Sequence, residues 1–234
     1  MNIALIGCNG FVGSHLSNSL SRIENCTLTR VHRENYYHEM ANKYDIVINT
    51  ATPSRRFWAK QYPEKDFAAT VSLTSDIINN WHFDKLIQIS SVSARSQLDT
   101  VYGRHKASAE KLVDLSKFLI VRLGPMYGDG LTKGVLLDLV SNKKVFASRL
   151  SQYCFTPVNW VSDWVASNLF RTGLLEIGSK NFVTLEEVAS AINSNSEFTD
   201  YLDHQVIMDP PVSAPEASDV LSYVVELKSK IRFS

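Results

Sequence analysis

Residues 3–13 read Ile-Ala-Leu-Ile-Gly-Cys-Asn-Gly-Phe-Val-Gly, and no other stretch restricts the fold as much. Ile3 to Ile6 is apolar without alternation, the pattern of a strand buried on both faces of a parallel sheet. From Phe11 to Leu20 the apolar residues Phe11, Val12, Leu16 and Leu20 fall at helical spacing. Gly7, Gly10 and Gly13 therefore span a turn between a buried strand and a helix. Glycine suits such a turn when the bend is tight, when a ligand's backbone approach must be close, and when helix and strand nearly touch. The free N–H groups of the first helical turn, with the positive end of the helix dipole, form a site for a pyrophosphate. In this strand–turn–helix context the contacts to a dinucleotide are expected from Gly7, Asn9, Gly10, Phe11, Val12 and Gly13.

The rest of the chain repeats the alternation. Thr27–Val31 reads as a second strand, and Asp45–Asn49 as another, followed by the loop Thr50-Ala-Thr-Pro53. Residues from about 66 to 81 are helical in pattern, 85–89 is a strand, 100–116 a helix and 118–121 a strand. No strand is evident between Arg33 and Lys43. The order predicts an α/β fold with a doubly wound parallel sheet of Rossmann type. Beyond about residue 130 the pattern loosens, with helices expected over 131–141, 162–172, 184–193 and 217–231. We read 1–234 as one dinucleotide-binding domain whose later residues form a small substrate lobe.

Charge narrows the partners. The 234 residues carry 24 basic and 24 acidic side chains and no long like-charge block. A nucleic-acid binder or membrane-surface protein usually shows a basic excess, so a small-molecule substrate is expected, and the charged residues are expected on solvated faces. No apolar run approaches the roughly 20 residues of a membrane span, and the apolar start is a strand without the flanks of a leader. Three distant cysteines and six scattered histidines show no metal spacing. Reduced thiols in a cytoplasmic protein are the expected state.

Two further patterns carry chemistry. The second strand ends Thr-Leu-Thr-Arg30-Val-His-Arg33, without the acid that would hold ribose hydroxyls. Arg30 and Arg33 suit a 2′-phosphate, which favours NADP(H), with NAD(H) as the alternative. Tyr102-Gly-Arg-His-Lys106 places a phenol and an ammonium four residues apart, on one helix face. A nearby cation would lower the phenol's pKa and let Tyr102 exchange a proton with a carbinol oxygen while hydride moves. Ser91, at the tip of the preceding strand, would polarise the same carbonyl, and Ser93 is the alternative serine. A non-catalytic dinucleotide-binding or sensing protein is the competing reading.

Taken in order, these residues resemble the extended, NAD-dependent epimerase/dehydratase branch of the short-chain dehydrogenase/reductase superfamily. Gly7–Gly13 is similar to that branch's cofactor loop, Asp45–Ala51 to the strand beside the cofactor, Ile89–Ser91 to its catalytic serine segment, Tyr102–Lys106 to its catalytic helix, and Asn159–Val165 to a later helix start. The resemblance implies catalysis by Ser91, Tyr102 and Lys106, with Lys106 also on the nicotinamide ribose. It further implies that Thr50, Ala51 and Pro125 line the cofactor, that Arg149 and Tyr153 meet a substrate phosphate, and that the substrate is a small carbonyl or a nucleotide sugar. Phe67, Val71, Ile77 and Ile78 are expected in core or dimer contacts, and the resemblance implies a homodimer paired through their helix and the Tyr102 helix. Thr70 stands where an asparagine is common in that branch, the gap from Ser91 to Tyr102 is short, and Asp163 is read as a helix N-terminal residue.

Overall fold

A computed structural model describes residues 1–232. The chain divides into two compact units, Met1–Leu123 with Asn159–Leu175, and Gly124–Val158 with the chain from Glu176 onward.

The first unit opens β1 (Asn2–Ile6), α1 (Phe11–Leu20), β2 (Thr27–Val31), α2 (Tyr36–Glu39) and β3 (Lys43–Asn49). It continues α3 (Arg56–Gln61), α4 (Pro63–Phe67), α5 (Leu73–Asn80), β4 (His82–Ser91), α6 (Ser93–Ser96), α7 (Val101–Glu110) and β5 (Leu119–Leu123). The chain then runs through β6 (Met126–Tyr127), α8 (Val135–Val140), β7 (Gln152–Tyr153), β8 (Thr156–Pro157), α9 (Val158–Ser167) and β9 (Gly173–Ile177). It ends in β10 (Val183–Thr184), α10 (Leu185–Ala191) and α11 (Asp219–Arg232).

Six strands form one sheet in the order β2-β1-β3-β4-β5-β9, with parallel register from β2 through β5. This is the doubly wound sheet the alternation predicts. Its strand order reverses between β1 and β3, where open α/β sheets bind ligands beyond the carboxyl ends. The stretch between Arg33 and Lys43 holds the single helical turn α2 and no strand. Ala4, Ile6, Val31, Tyr44, Val47, Ile77, Trp81 and Leu86 close one core of this unit.

Several boundaries differ from the sequence reading, each for a local reason. The expected helix over 66–81 starts earlier, with Pro63 at its first position, where a missing N–H costs nothing. It then widens into a π-turn over Ala68–Ser72 before α5, with Thr74 Oγ1 donating to the Thr70 carbonyl at 2.7 Å. The helix expected over 100–116 stops at Glu110. The helix expected over 162–172 runs over 158–167 instead, directly from β8. Asp163 is therefore in mid-helix and not at an N-terminus. Its carboxylate accepts from Ser19 at 2.6 Å and pairs with Arg22, both on α1.

The second unit has its own core, around Leu139, Tyr153, Phe155, Leu185, Val188, Val220 and Val224. Helix α10 starts with a reciprocal cap: Glu187 N donates to Thr184 Oγ1 at 3.2 Å, and Thr184 N donates to Glu187 Oε2 at 2.7 Å. Replacing Thr184 by Ala is expected to cost about 1 kcal/mol in urea unfolding. An unchanged midpoint would show that packing alone fixes this helix start.

Candidate active site

The glycine turn is built by contacts that leave no room for side chains. Gly7 sits at φ +83°, and a Cβ there would lie 2.7 Å from the Ala51 backbone. A Cβ on Gly13 would lie 2.1 Å from the Gly7 carbonyl oxygen. Thr50 Oγ1 donates to the carbonyls of Ile6 (2.8 Å) and Gly7 (3.2 Å), which fastens the tip of β3 to the turn. Gly10 precedes α1 in extended conformation, and no side chain caps the helix. The first-turn amides of Phe11, Val12 and Gly13 thus follow the glycine turn without a side-chain cap. The exposed Asn9 lies on the same turn, and Phe11 stands edge-on to His15 at 5.7 Å.

Arg30 reaches α1 from β2. Its Nε donates to Ser17 Oγ at 2.7 Å and its Nη2 to Ser21 Oγ at 2.9 Å. Burial pushes the Cys8 thiol up, and the Arg30 guanidinium is near enough to oppose that rise. Arg30 is therefore held against the last turns of α1 by two serines, with its charge felt at Cys8 in the glycine turn. Arg33, two residues past the strand, is exposed.

Ser91, Tyr102 and Lys106 come together. Ser91 is the last residue of β4, and its Oγ accepts from the Ser93 amide at 3.2 Å. Thr100 caps α7 by accepting from Gly103 N at 3.0 Å. That cap places Tyr102 and Lys106 one turn apart on the inner face, 6 % and 4 % exposed. The Ser91 hydroxyl is near enough to the Tyr102 phenol to favour its ionised form, and the Lys106 ammonium lies 5.5 Å from the Tyr102 ring centroid. Lys106 Nζ donates to Thr52 Oγ1 at 2.5 Å. A continuous path of contacts thus runs from the glycine turn through Thr50 to Thr52, Lys106, Tyr102 and Ser91. Ser93, buried at the start of α6, serves this set through its amide.

The electrostatics depart from the simple expectation. The sequence reading has Lys106 lowering the Tyr102 phenol. Burial wins instead and pushes it up to about 12, against the Ser91 hydroxyl and the Arg56 charge. Burial also lowers Lys106 to about 8, with Asp66 and Glu110 holding it from a further fall. The expectation that charges lie on solvated faces fails here, since Asp66, Lys106, Glu110 and Asp203 are all buried. Glu110 takes a two-pronged bond from Arg122 (2.9 and 2.6 Å) and one from Ser90 (2.6 Å), tying α7 to β4 and β5. Asp66 Oδ2 accepts from His105 Nδ1 at 2.7 Å. Sequence reasoning missed Thr52, Asp66, His105 and Glu110. Only the place of His105 beside Lys106 in the chain pointed toward any of them.

The remaining candidates lie in the second unit. Arg149 pairs with Glu186 at 2.7 Å and stacks on Phe198 at 4.3 Å. Tyr153 is buried, stacked on Phe155, with its hydroxyl bonded to Asp203. Pro125 offers its carbonyl to Thr156 N at 3.0 Å. Among the positions expected in core or dimer contacts, Ile77 is fully buried in the core while Phe67 is exposed. No helix among the described residues is long and apolar enough to cross a membrane.

No protein-family profile and no curated protein matches the sequence. Solved structures match it along nearly its whole length. RMD from Pseudomonas aeruginosa, complexed with NADPH, is 16% identical with a TM-score of 0.73, the match covering 98% of this chain and 99% of that one. UDP-glucuronic acid 4-epimerase from Bacillus cereus, in complex with UDP-glucuronic acid and NAD, is 16% identical with a TM-score of 0.75 over 99% of this chain and 100% of that one. A dTDP-4-dehydrorhamnose reductase from Clostridium acetobutylicum is 15% identical with a TM-score of 0.74 over 98% and 100%. The chain therefore has the fold of extended short-chain dehydrogenase/reductase structures.

Proposed function

We propose that the chain binds NADP(H), with NAD(H) as the weaker alternative, and moves a hydride at a carbonyl or carbinol carbon of a sugar or small carbonyl compound. The observation that carries this reading is the buried Tyr102 and Lys106 side by side on α7, with Lys106 bonded to Thr52 in the loop that closes the glycine turn. The residues present fit a dinucleotide: the cradle at Gly7 and Gly13 is one a Cβ would fill, and uncapped helix amides follow it. The reductases and epimerases that share the fold, some solved with NADPH or NAD, support the same class.

A bound nicotinamide would supply or take the hydride. The chain's own groups handle the proton and the geometry. At neutral pH both Tyr102 and Lys106 keep their protons, the state needed for Tyr102 to protonate an alkoxide oxygen. Ser91 orients the phenol and would donate to the same oxygen. Lys106, held by Thr52, would place its ammonium against ribose hydroxyls. Arg30 would meet a 2′-phosphate. The substrate class that fits the shared fold is a nucleotide sugar, and a smaller carbonyl compound is the alternative.

Titration with NADPH and NADH, followed by nicotinamide fluorescence, tests the reading. NADPH is expected to bind more tightly, and Arg30→Ala to weaken NADPH about tenfold or more while changing NADH little. Binding should then be followed by turnover in a screen of nucleotide sugars and small carbonyls. Failure to bind either cofactor overturns the reading. Binding without any turnover would leave a dinucleotide-binding protein.

A further inference from the structure

Of the buried acids, one packs against the candidate set with an oxygen left bare. Asp66, in α4, is 0 % exposed. Its Oδ2 lies 2.7 Å from His105 Nδ1 on α7. Its Oδ1 is equally buried and has no hydrogen-bond partner among the described residues. A carboxylate oxygen left bare in the interior is costly and asks what it serves. Helix α4 packs on α7, and the Asp66 charge is felt at both Tyr102 and Lys106.

The groups around Lys106 can be sorted by what they have left to offer. On α7, Glu110 faces the ammonium, but its two oxygens are taken by the Arg122 fork from β5 and by Ser90 from β4. Arg122 therefore cancels much of the Glu110 charge. Tyr102 is a neutral phenol, Thr52 a neutral hydroxyl, and Arg56 on α3 adds positive charge near Tyr102. His105 neighbours Lys106 and grips only one Asp66 oxygen. Asp66 is thus the acid with charge to spare.

We propose that Asp66, held in place by His105, is a positioning residue that keeps the buried Lys106 ammonium charged. The proposal rests on the reading of Ser91, Tyr102 and Lys106 as the reacting set. A protonated Lys106 is what that set needs for ribose binding and for its field at the phenol. Asp66 sets this charge from α4 and acts through Lys106. His105 is aligned by an edge-on contact with Phe67 at 5.4 Å, which holds the pair from the α4 side.

Two readouts separate this role from mere packing, and the first uses the chain without cofactor. The pH dependence of urea unfolding reports when folded Lys106 loses its proton. Asp66→Asn is expected to move that alkaline rise in stability down by about one pH unit or more, and to do nothing to the profile of a chain already carrying Lys106→Met. His105→Gln, which keeps both the Asp66 charge and a donor to it, should leave the profile nearly in place. If Asp66→Asn does not fold, a double variant Asp66→Asn/Lys106→Met as stable as Lys106→Met alone supports the coupling, and one well below Lys106→Met overturns it. An unmoved profile, or an equal effect in both Lys106 backgrounds, also overturns it. The second readout is NADPH affinity, expected to weaken in Asp66→Asn about twofold at pH 7 and about fivefold at pH 8, as the charged fraction of Lys106 falls. A shifted profile in a chain that binds no dinucleotide would uphold the role of Asp66 and sink the function proposed for Lys106.

Discussion

A chain with alanine at position 13 is expected to lose about 2–4 kcal/mol of stability and to bind neither NADPH nor NADH. The added Cβ would stand 2.1 Å from the Gly7 oxygen, 2.9 Å from the Gly7 carbonyl carbon and 2.8 Å from Thr50 Oγ1. Two of those three atoms are backbone, so no rotamer change relieves the clash. Either α1 lifts from β1 or the turn opens, and both displace the amides meant for the pyrophosphate. Gly10 supplies the contrast. A Cβ there meets only the Gly7 oxygen, at 3.3 Å, and φ at this residue is −75°, which any residue adopts. Gly10→Ala should change stability by less than about 1 kcal/mol and still weaken the dinucleotide, because a methyl group would enter the space beside the first helical amides. Urea unfolding and cofactor titration of both variants decide the matter. Wild-type stability in Gly13→Ala would show that the turn is looser than its contacts state. Undiminished NADPH affinity in Gly10→Ala would show that the pyrophosphate lies elsewhere.

Replacing Lys106 by Met is expected to stabilise the folded chain by about 3 kcal/mol near pH 7 and to abolish turnover. The ammonium's pKa falls from its ordinary 10.5 to about 8 on folding, a difference of about 2.5 units, and each unit is worth about 1.4 kcal/mol. The sign follows from proton linkage. Below pH 8 both folded and unfolded chains hold this proton, and the folded state bears the whole cost of the buried charge. Between 8 and 10.5 the folded chain has released it while the unfolded chain has not, so wild-type stability climbs. Above 10.5 neither state is charged and the advantage of Met is gone. Unfolding curves for the two chains should thus lie farthest apart below pH 8 and converge toward pH 10.5. A Met variant that is less stable at every pH would mean that Lys106 is held for its bond to Thr52 and not despite its burial. Stability surrendered for a charge in the interior is a mark of a working site.

The sequence by itself determined the sheet and the turn. Strands buried on both faces carry unbroken apolar runs at Ile3–Ile6 and Ile46–Ile48, and the glycine spacing at 7, 10 and 13 encodes its own geometry. Both signals are local, so a linear reading recovers them. The spacing of Tyr102 and Lys106 is local too, and with Ser91 at a strand tip it placed the candidate set on one sheet edge. Local patterns could not show that burial would override Lys106 and raise the Tyr102 phenol, because desolvation depends on how many elements close over a group. Nor could they show that Asp66 meets His105 across 39 residues, or that a π-turn would split the helix over 66–81. Asp163 reads as a helix start, yet its role comes from Ser19 and Arg22 on a helix far earlier in the chain. Periodicity reports which face of an element is apolar. Which charges are paired, which are left bare and what protonation they hold were decided only when α4, α7, β4 and β5 closed around them, since a charge takes its energy from every neighbour within a few ångströms regardless of distance along the chain.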